Sequence, residues 1–320
     1  MKILLWTICL FIFRSSAQDL DTNNKCSYAL SKSVFDCSGL EDVTKNVKNF
    51  LTPQTRMLVI RNSKKASFSG YSHNVTNYQH IISYNILDND QLDIDGFAFH
   101  GMTSLRFLRI AGNFLFRVKN NSFKGLDSLE ILTLSENNIT TLEEKSFSGL
   151  KRLITLDLAK NNIEIIRSRS FVDLSRLQIL SIERNSIKMI ENDAFVGLSK
   201  LELLDLRFNN IKILNAKDFN ILTNLETLYL NFNKIENIYG YLNSSKLMFL
   251  QLDNNQLKEI GDNTFKNLLQ TVSIDLSNNN LGNLTEKPFL QLPSLQHLNL
   301  RNNNVNLTGF NNLKDISVVV

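Results

Sequence analysis

From residue 81 onward, apolar residues return in one fixed order. Leu105, Leu108 and Ile110 are followed by Asn113, then Leu129, Leu132 and Leu134 by Asn137, and Leu153, Leu156 and Leu158 by Asn161. The set recurs as Leu177/Leu180/Ile182/Asn185, Leu201/Leu204/Leu206/Asn209 and Leu225/Leu228/Leu230/Asn233. It continues as Leu247/Leu250/Leu252/Asn255, Thr271/Ile274/Leu276/Asn279 and Leu295/Leu298/Leu300/Asn303, and Ile81/Tyr84/Ile86/Asn89 precedes them all. That gives ten units, with eight of nine successive spacings equal to 24 residues and one shortened to 22. Within a unit, the alternation at Leu108 and Ile110 predicts a short strand whose apolar side chains point inward while Arg109 points to the other face. One strand per unit, all running the same way, stacks into a parallel sheet at about 4.8 Å per strand.

Each unit has a second apolar half, visible as Ile139, Leu142, Phe147 and Leu150 and again as Ile163, Ile166, Phe171 and Leu174. The Phe column, Phe99, Phe123, Phe147, Phe171, Phe195, Phe219, Phe265 and Phe289, is expected to stack in the return segments as core. The Asn column, whose amide both donates and accepts, is expected to satisfy backbone groups of neighbouring turns. Left unpaired, each of those groups would cost about 1 to 3 kcal/mol.

Ten registered copies of this pattern resemble the leucine-rich repeat family, in its 24-residue extracellular type. The resemblance covers residues 55–320 and implies an α/β repeat solenoid. In that fold a horseshoe carries a parallel β-sheet on its concave face and a mostly irregular or short-helical convex side. Residues 18–54, with Cys26, Cys37 and the stretch Thr52-Pro53-Gln54, are similar to the cysteine-containing N-terminal cap of such proteins, whose fuller version has four cysteines. At the other end Leu313, Ile316 and Val318 begin a further strand with no cysteine-rich cap. An uncovered edge of this kind is explained by an incomplete sequence, by frayed last residues, or by a partner that covers it as a homo- or heterodimer.

The start of the chain sets the compartment. Residues 1–17 combine a basic Lys2, an apolar run from Ile3 to Phe13 and a small-residue exit at Ser15-Ser16-Ala17, the layout of a secretory signal peptide cleaved before Gln18. That run is too short to span a membrane, and no other stretch predicts a span. Removal of this segment removes Cys9 and leaves Cys26 and Cys37, which in an oxidising compartment predict a disulfide. A two-ligand metal site is the alternative, but His73, His80, His100 and His297 are scattered and supply no ligand spacing, so no metal is expected. Glycosylation acceptors occur at Asn74, Asn120, Asn138, Asn243, Asn283 and Asn306, and those within the repeats fall after the strand, leaving the sheet face free of them. The formal charge of +4 drops to +2 once Lys2 and Arg14 are removed, so no nucleic-acid partner is expected.

The chemistry-bearing motifs of enzymes are missing: no Gly-x-Ser-x-Gly, His-Glu-x-x-His, phosphate loop or dinucleotide fingerprint occurs. Neither a catalytic residue nor a cofactor is predicted. Carboxylates such as Asp157, Asp205 and Asp275 share a register but lack a proton partner, and solvated surface acids suffice to explain them. Binding is the remaining class, and curved solenoids bind on the non-repeating side chains of the sheet face. One neighbourhood there gathers aromatic and Arg residues, the types most often found at binding hot spots. Phe208 and Phe232 share a register in adjacent units, Tyr229 and Phe249 lie one strand over, and Arg184, Asp205 and Arg207 sit at the edge. The competing reading is that these rings lie flat and merely cover the sheet.

The expected function is therefore a secreted recognition or adhesion module with an extracellular protein ligand or receptor as partner. By resemblance, such chains include Toll-type receptor ectodomains, secreted invertebrate immune proteins, and guidance or adhesion molecules. A soluble decoy or truncated ectodomain of a Toll-type receptor is the alternative.

Overall fold

The computed structural model describes residues 26–42, 51–68, 78–282, 284–305, 310, 312–313 and 316–319. The expected leader at 1–17 and the acceptor triplets at Asn74, Asn283 and Asn306 lie outside them. One 14-stranded sheet runs the length of the molecule, its strands in sequence order. The first two, Cys26–Ala29 and Val34–Ser38, form an antiparallel hairpin. Within this hairpin Cys26 stands opposite Cys37 and their sulfurs are bonded. Every later strand, from Met57–Arg61 to Ser317–Val319, joins its neighbour in parallel. The hairpin thus closes the first coil with a reversed strand.

Most repeat strands are only three residues long, as in Thr155–Asp157, Ile179–Ser181, Leu203–Asp205 and Thr227–Tyr229. Their central residues, Leu156, Leu180, Leu204 and Leu228, are fully buried, and each such side chain contributes roughly 1.5 to 3 kcal/mol of burial. The residues on either side project to the opposite face, as the period of two requires. The shortened unit keeps strand register, since Thr227 pairs with Phe249 and Tyr229 with Gln251. Its missing residues come out of the return segment instead.

Two ladders hold the coils together. Asn185 shows the first: its Nδ2 donates to the carbonyls of Leu158 in the preceding coil and Ile182 in its own, and its Oδ1 accepts the amide of Ile163. Asn161, Asn209, Asn233, Asn255 and Asn279 repeat the arrangement. The second ladder is the Phe column, where Phe99, Phe123, Phe147 and Phe171 stack in sequence with ring centroids 5.9 to 6.3 Å apart. The return segments carry two-residue to three-residue strands and short 3-10 turns such as Ala216–Phe219. At one of these returns Gly197 has φ +100°, and a Cβ there would lie 2.4 Å from the Val172 carbonyl oxygen, so no larger residue fits the coil spacing.

Candidate binding face

The turn that ends each strand needs one residue in the left-handed region. Asp88, Gly112, Glu136, Lys160, Arg184, Phe208, Phe232, Asn254, Asn278 and Asn302 fill that place in successive units, the non-glycine members with φ between 52° and 58°. Asn and Gly adopt this conformation readily, whereas a bulky ring does so at a cost. The last three units use Asn, but the middle of the array uses Arg184, Phe208 and Phe232. Backbone bonds from their amides to Arg207, Asn231 and Asp253 in the following coil hold all three in place.

These three side chains form one ladder. Phe208 and Phe232 lie face to face, centroids 4.4 Å apart and planes 7° from parallel. The Arg184 guanidinium covers the other side of Phe208 at 4.2 Å and makes no ion pair among the described residues. Phe232 ends the ladder with 41% of its surface exposed.

A second cluster lies beside the first. Asp205 is buried under Arg207, which grips it with two parallel bonds, Nε to Oδ1 at 2.9 Å and Nη2 to Oδ2 at 2.6 Å. Glu183, just past the end of the neighbouring strand, meets the same guanidinium at 3.2 Å, and the Arg207 plane rests on Tyr229 at 4.8 Å. The hydrogen bond to Asp205 raises the Arg207 pKa, so this cation is fixed and internally committed. Burial pushes the Glu183 carboxyl upward and Asp205 adds to the rise, with Arg207 opposing it. Asp157 and Asp253 are also shifted upward, in both cases chiefly by burial.

The seven residues expected at the site therefore divide. Arg184, Phe208 and Phe232 form the ladder, while Asp205, Arg207 and Tyr229 form the clamped group. The reading of Asp205 as a solvated surface acid is corrected: it ends the strand Leu203–Asp205 and is only 5% exposed, because Arg207 folds back over it. Phe249 stands apart, since its strand partner is Thr227 and not Tyr229, and it is 42% exposed. Glu183 belongs to the clamped group, a role its register one unit before Arg207 would have signalled.

Other exposed rings lie elsewhere, among them one pair in a single segment. Phe114 and Phe116, 52% and 63% exposed, follow the strand Phe107–Ala111, with Leu115 buried between them. The neighbouring coil brings the acceptor triplet at Asn138 against them, for Asn138 donates to the Leu115 carbonyl and Thr140 to that of Phe116. Asn120, Asn138 and Asn243 all lie outside the strands of the large sheet.

Comparison with known proteins agrees with this geometry. The chain resembles a chain of the octameric complex of latrophilin 3, Unc5D and FLRT2, in which FLRT2 supplies the leucine-rich repeats. The TM-score is 0.70 at 24% identity, covering 88% of this chain and 84% of that one. The TLR13–ssRNA13 complex matches with a TM-score of 0.55 at 24% identity, over 89% of this chain but 49% of the other. The internalin inlF of Listeria monocytogenes matches with a TM-score of 0.56 at 19% identity, over 90% and 86%. At these identities the likeness is one of fold. Against curated protein sequences the chain finds no match. The leucine rich repeat family pattern matches residues 85–139, 127–187, 175–235 and 245–305, more than half of the sequence, and the chain belongs to the leucine-rich repeat family.

Proposed function

We propose that this chain is an extracellular recognition module that holds a protein partner against its sheet face, centred on the Arg184–Phe208–Phe232 ladder. The observation that carries the reading is conformational. Two phenylalanines occupy left-handed positions that the three units after them fill with Asn, and they are stacked on each other, Phe208 partly and Phe232 41% exposed. Left-handed backbone kept under aromatic side chains, in a cluster of the residue types that dominate binding hot spots, is what a binding site would show. The leader-like segment at 1–17, the Cys26–Cys37 pair and the acceptor triplets support an extracellular setting.

Among fold neighbours, FLRT2 is found with latrophilin 3 and Unc5D, and TLR13 with ssRNA13. A protein ligand suits this face better than RNA. Asp157, Glu183, Asp205, Asp253 and Asp275 line it, and a phosphate backbone would be repelled there. Adhesion, guidance and immune roles, or service as a soluble Toll-type decoy, are finer readings of the same module. Catalysis is not supported: Asp157 and Asp205 stand two strands apart with Ser181 between them, and Asp205 is locked in an ion pair.

The test is a screen of the purified protein against an array of extracellular proteins. Each binder is then remeasured with the Phe208→Ser/Tyr229→Ser/Phe232→Ser/Phe249→Ser variant. A hot spot of this size predicts an affinity loss of about thirtyfold or more. Binders whose affinity is unchanged, with folding of the variant intact, would remove the sheet face from the account.

A further inference from the structure

Buried polar side-chain atoms along the sheet are left without a hydrogen-bond partner among the described residues, Arg109 Nε, Ser181 Oγ and Asn231 Oδ1 among them. The hydroxyl of Ser181 is without a partner in a residue only 2% exposed. It sits in register between Asp157 and Asp205, with Glu183 two residues further along the chain, just past the strand Ile179–Ser181. Two strands on, Asn231 has a buried Oδ1 with no partner, flanked by Tyr229 and Phe232.

Next to it lie Asp253 and Asp275, both bonded only by neutral groups. Asp253 accepts from the Asn254 side chain at 2.7 Å, and Asp275 accepts from Ser277 and Asn299 at 2.6 and 2.9 Å. The cations bordering this surface are occupied or distant. Arg207 is clamped by Asp205 and Glu183, Arg184 is stacked on Phe208, and Arg109 lies two strands before Asp157. Among the described residues no three acidic, His or Cys side chains converge to hold a metal ion. The acids are spread along the sheet, a spacing that suits several separate cationic groups.

We propose that the partner of this face is a protein presenting an extended basic segment, with one cationic cluster over Asp157, Ser181 and Glu183 and another over Asn231, Asp253 and Asp275. This rests on the reading of the sheet face as the binding surface and adds the chemistry of what it binds. Charge complementarity carries the choice: five acids line the face, Arg207 is committed to two of them and Lys160 to Glu136, and Asp157, Asp253 and Asp275 are held by neutral hydrogen bonds, in a chain whose formal charge is +4. Between the strand of Ser181 and that of Gln251 lie three strand steps, about 14 Å at the usual spacing. An extended chain covers that in about four residues. The aromatic ladder lies alongside this span and gives the stems of Arg or Lys side chains a surface to lie on.

The probe is a fluorescein-labelled, end-blocked peptide with two Arg pairs separated by Gly-Ser-Gly, beside a counterpart with Glu in place of Arg. Anisotropy titrations follow both against the full chain at low and high salt. The Arg peptide is expected to bind and the Glu peptide to fail, although the net charge of the protein favours the reverse. Neutralising the face with Asp157→Asn, Glu183→Gln, Asp253→Asn and Asp275→Asn is expected to weaken the Arg peptide by about tenfold or more. Asp253→Asn alone, with a smaller loss in the same direction, serves if the combined variant fails to fold. Equal binding of the two peptides, or undiminished binding of the Arg peptide by the neutralised face, overturns the proposal. In that event array binders that still need the aromatic residues would leave the recognition reading standing. If the Arg peptide needs the acids while array binders ignore the aromatic residues, the recognition reading fails alone.

Discussion

Replacing Phe208 and Phe232 together with Asn separates a binding role from a structural one. Asn accepts the left-handed backbone at both positions, which recovers about 1 kcal/mol per residue, or about 2 kcal/mol in all. Against this, the ring pair at 4.4 Å is lost, about 1 kcal/mol, and so is the Arg184 contact at 4.2 Å, also about 1 kcal/mol. Two half-buried rings forfeit about 1 kcal/mol each of apolar burial. The net cost is about 2 kcal/mol for two substitutions. A single Phe171→Ala in the buried column, where the ring is wholly enclosed, should cost about 3 to 5 kcal/mol. Urea unfolding followed by circular dichroism measures both, and an unchanged dependence on urea shows that the same structure is unfolding. If the double Asn variant loses more stability than Phe171→Ala, the exposed rings are covering the sheet and the strain argument for binding is wrong.

Three further outcomes follow from the same structure. Asn185→Ala leaves the Ile163 amide without a partner and takes one of two side-chain donors from the Leu158 and Ile182 carbonyls, which keep Asn161 and Asn209, so a loss of about 1 to 3 kcal/mol in urea unfolding is expected; no measurable loss would deny the ladder its role. Cys26 and Cys37 close an 11-residue separation, so the Cys26→Ala/Cys37→Ala protein should lose about 2 to 3 kcal/mol, and intact mass after thiol alkylation should show both sulfurs blocked in the native chain. Asp157, Glu183 and Asp253 have folded pKa values raised by burial, so the folded state binds protons more readily than the unfolded one. Their charged forms weaken the fold above the raised values, and the penalty fades as pH falls towards the ordinary carboxylate range. Asp157→Asn should therefore raise the urea midpoint at neutral pH and lose that advantage in acid, with the opposite pH trend counting against the assignment.

The solenoid was legible because a 24-residue period repeats each structural demand ten times. Leu156 and Leu180 must point inward, Asn161 and Asn185 must meet backbone at the turn, and the register of Phe208 on Phe232 follows directly. Sequence was less informative wherever a side chain chooses among neighbours. Arg207 could have reached outward to a ligand, but Asp205 two residues back and Glu183 one strand away claim it. Tyr229 and Phe249 share one face of the sheet, but the strand register sets Phe249 beside Thr227 and Tyr229 beside Gln251. The period of two after Asn113 leaves Leu115 buried and turns Phe114 and Phe116 outward, an exposure that apolar character alone does not suggest. The left-handed backbone at Phe208 and Phe232 was hidden for a different reason. Asp88, Gly112, Asn254, Asn278 and Asn302 in the same column hint at it, but Glu136, Lys160 and Arg184 do not.

The central claim is that the sheet face around Phe208 and Phe232 meets the partner. Hydroxyl-radical footprinting, read by mass spectrometry on the protein alone and with a binder from the extracellular array, addresses it most directly. The account predicts that Phe208, Tyr229 and Phe232 become protected from oxidation in the complex while Phe114 and Phe116 remain as reactive as before. Protection of Phe114 and Phe116 with the sheet face unchanged would contradict it.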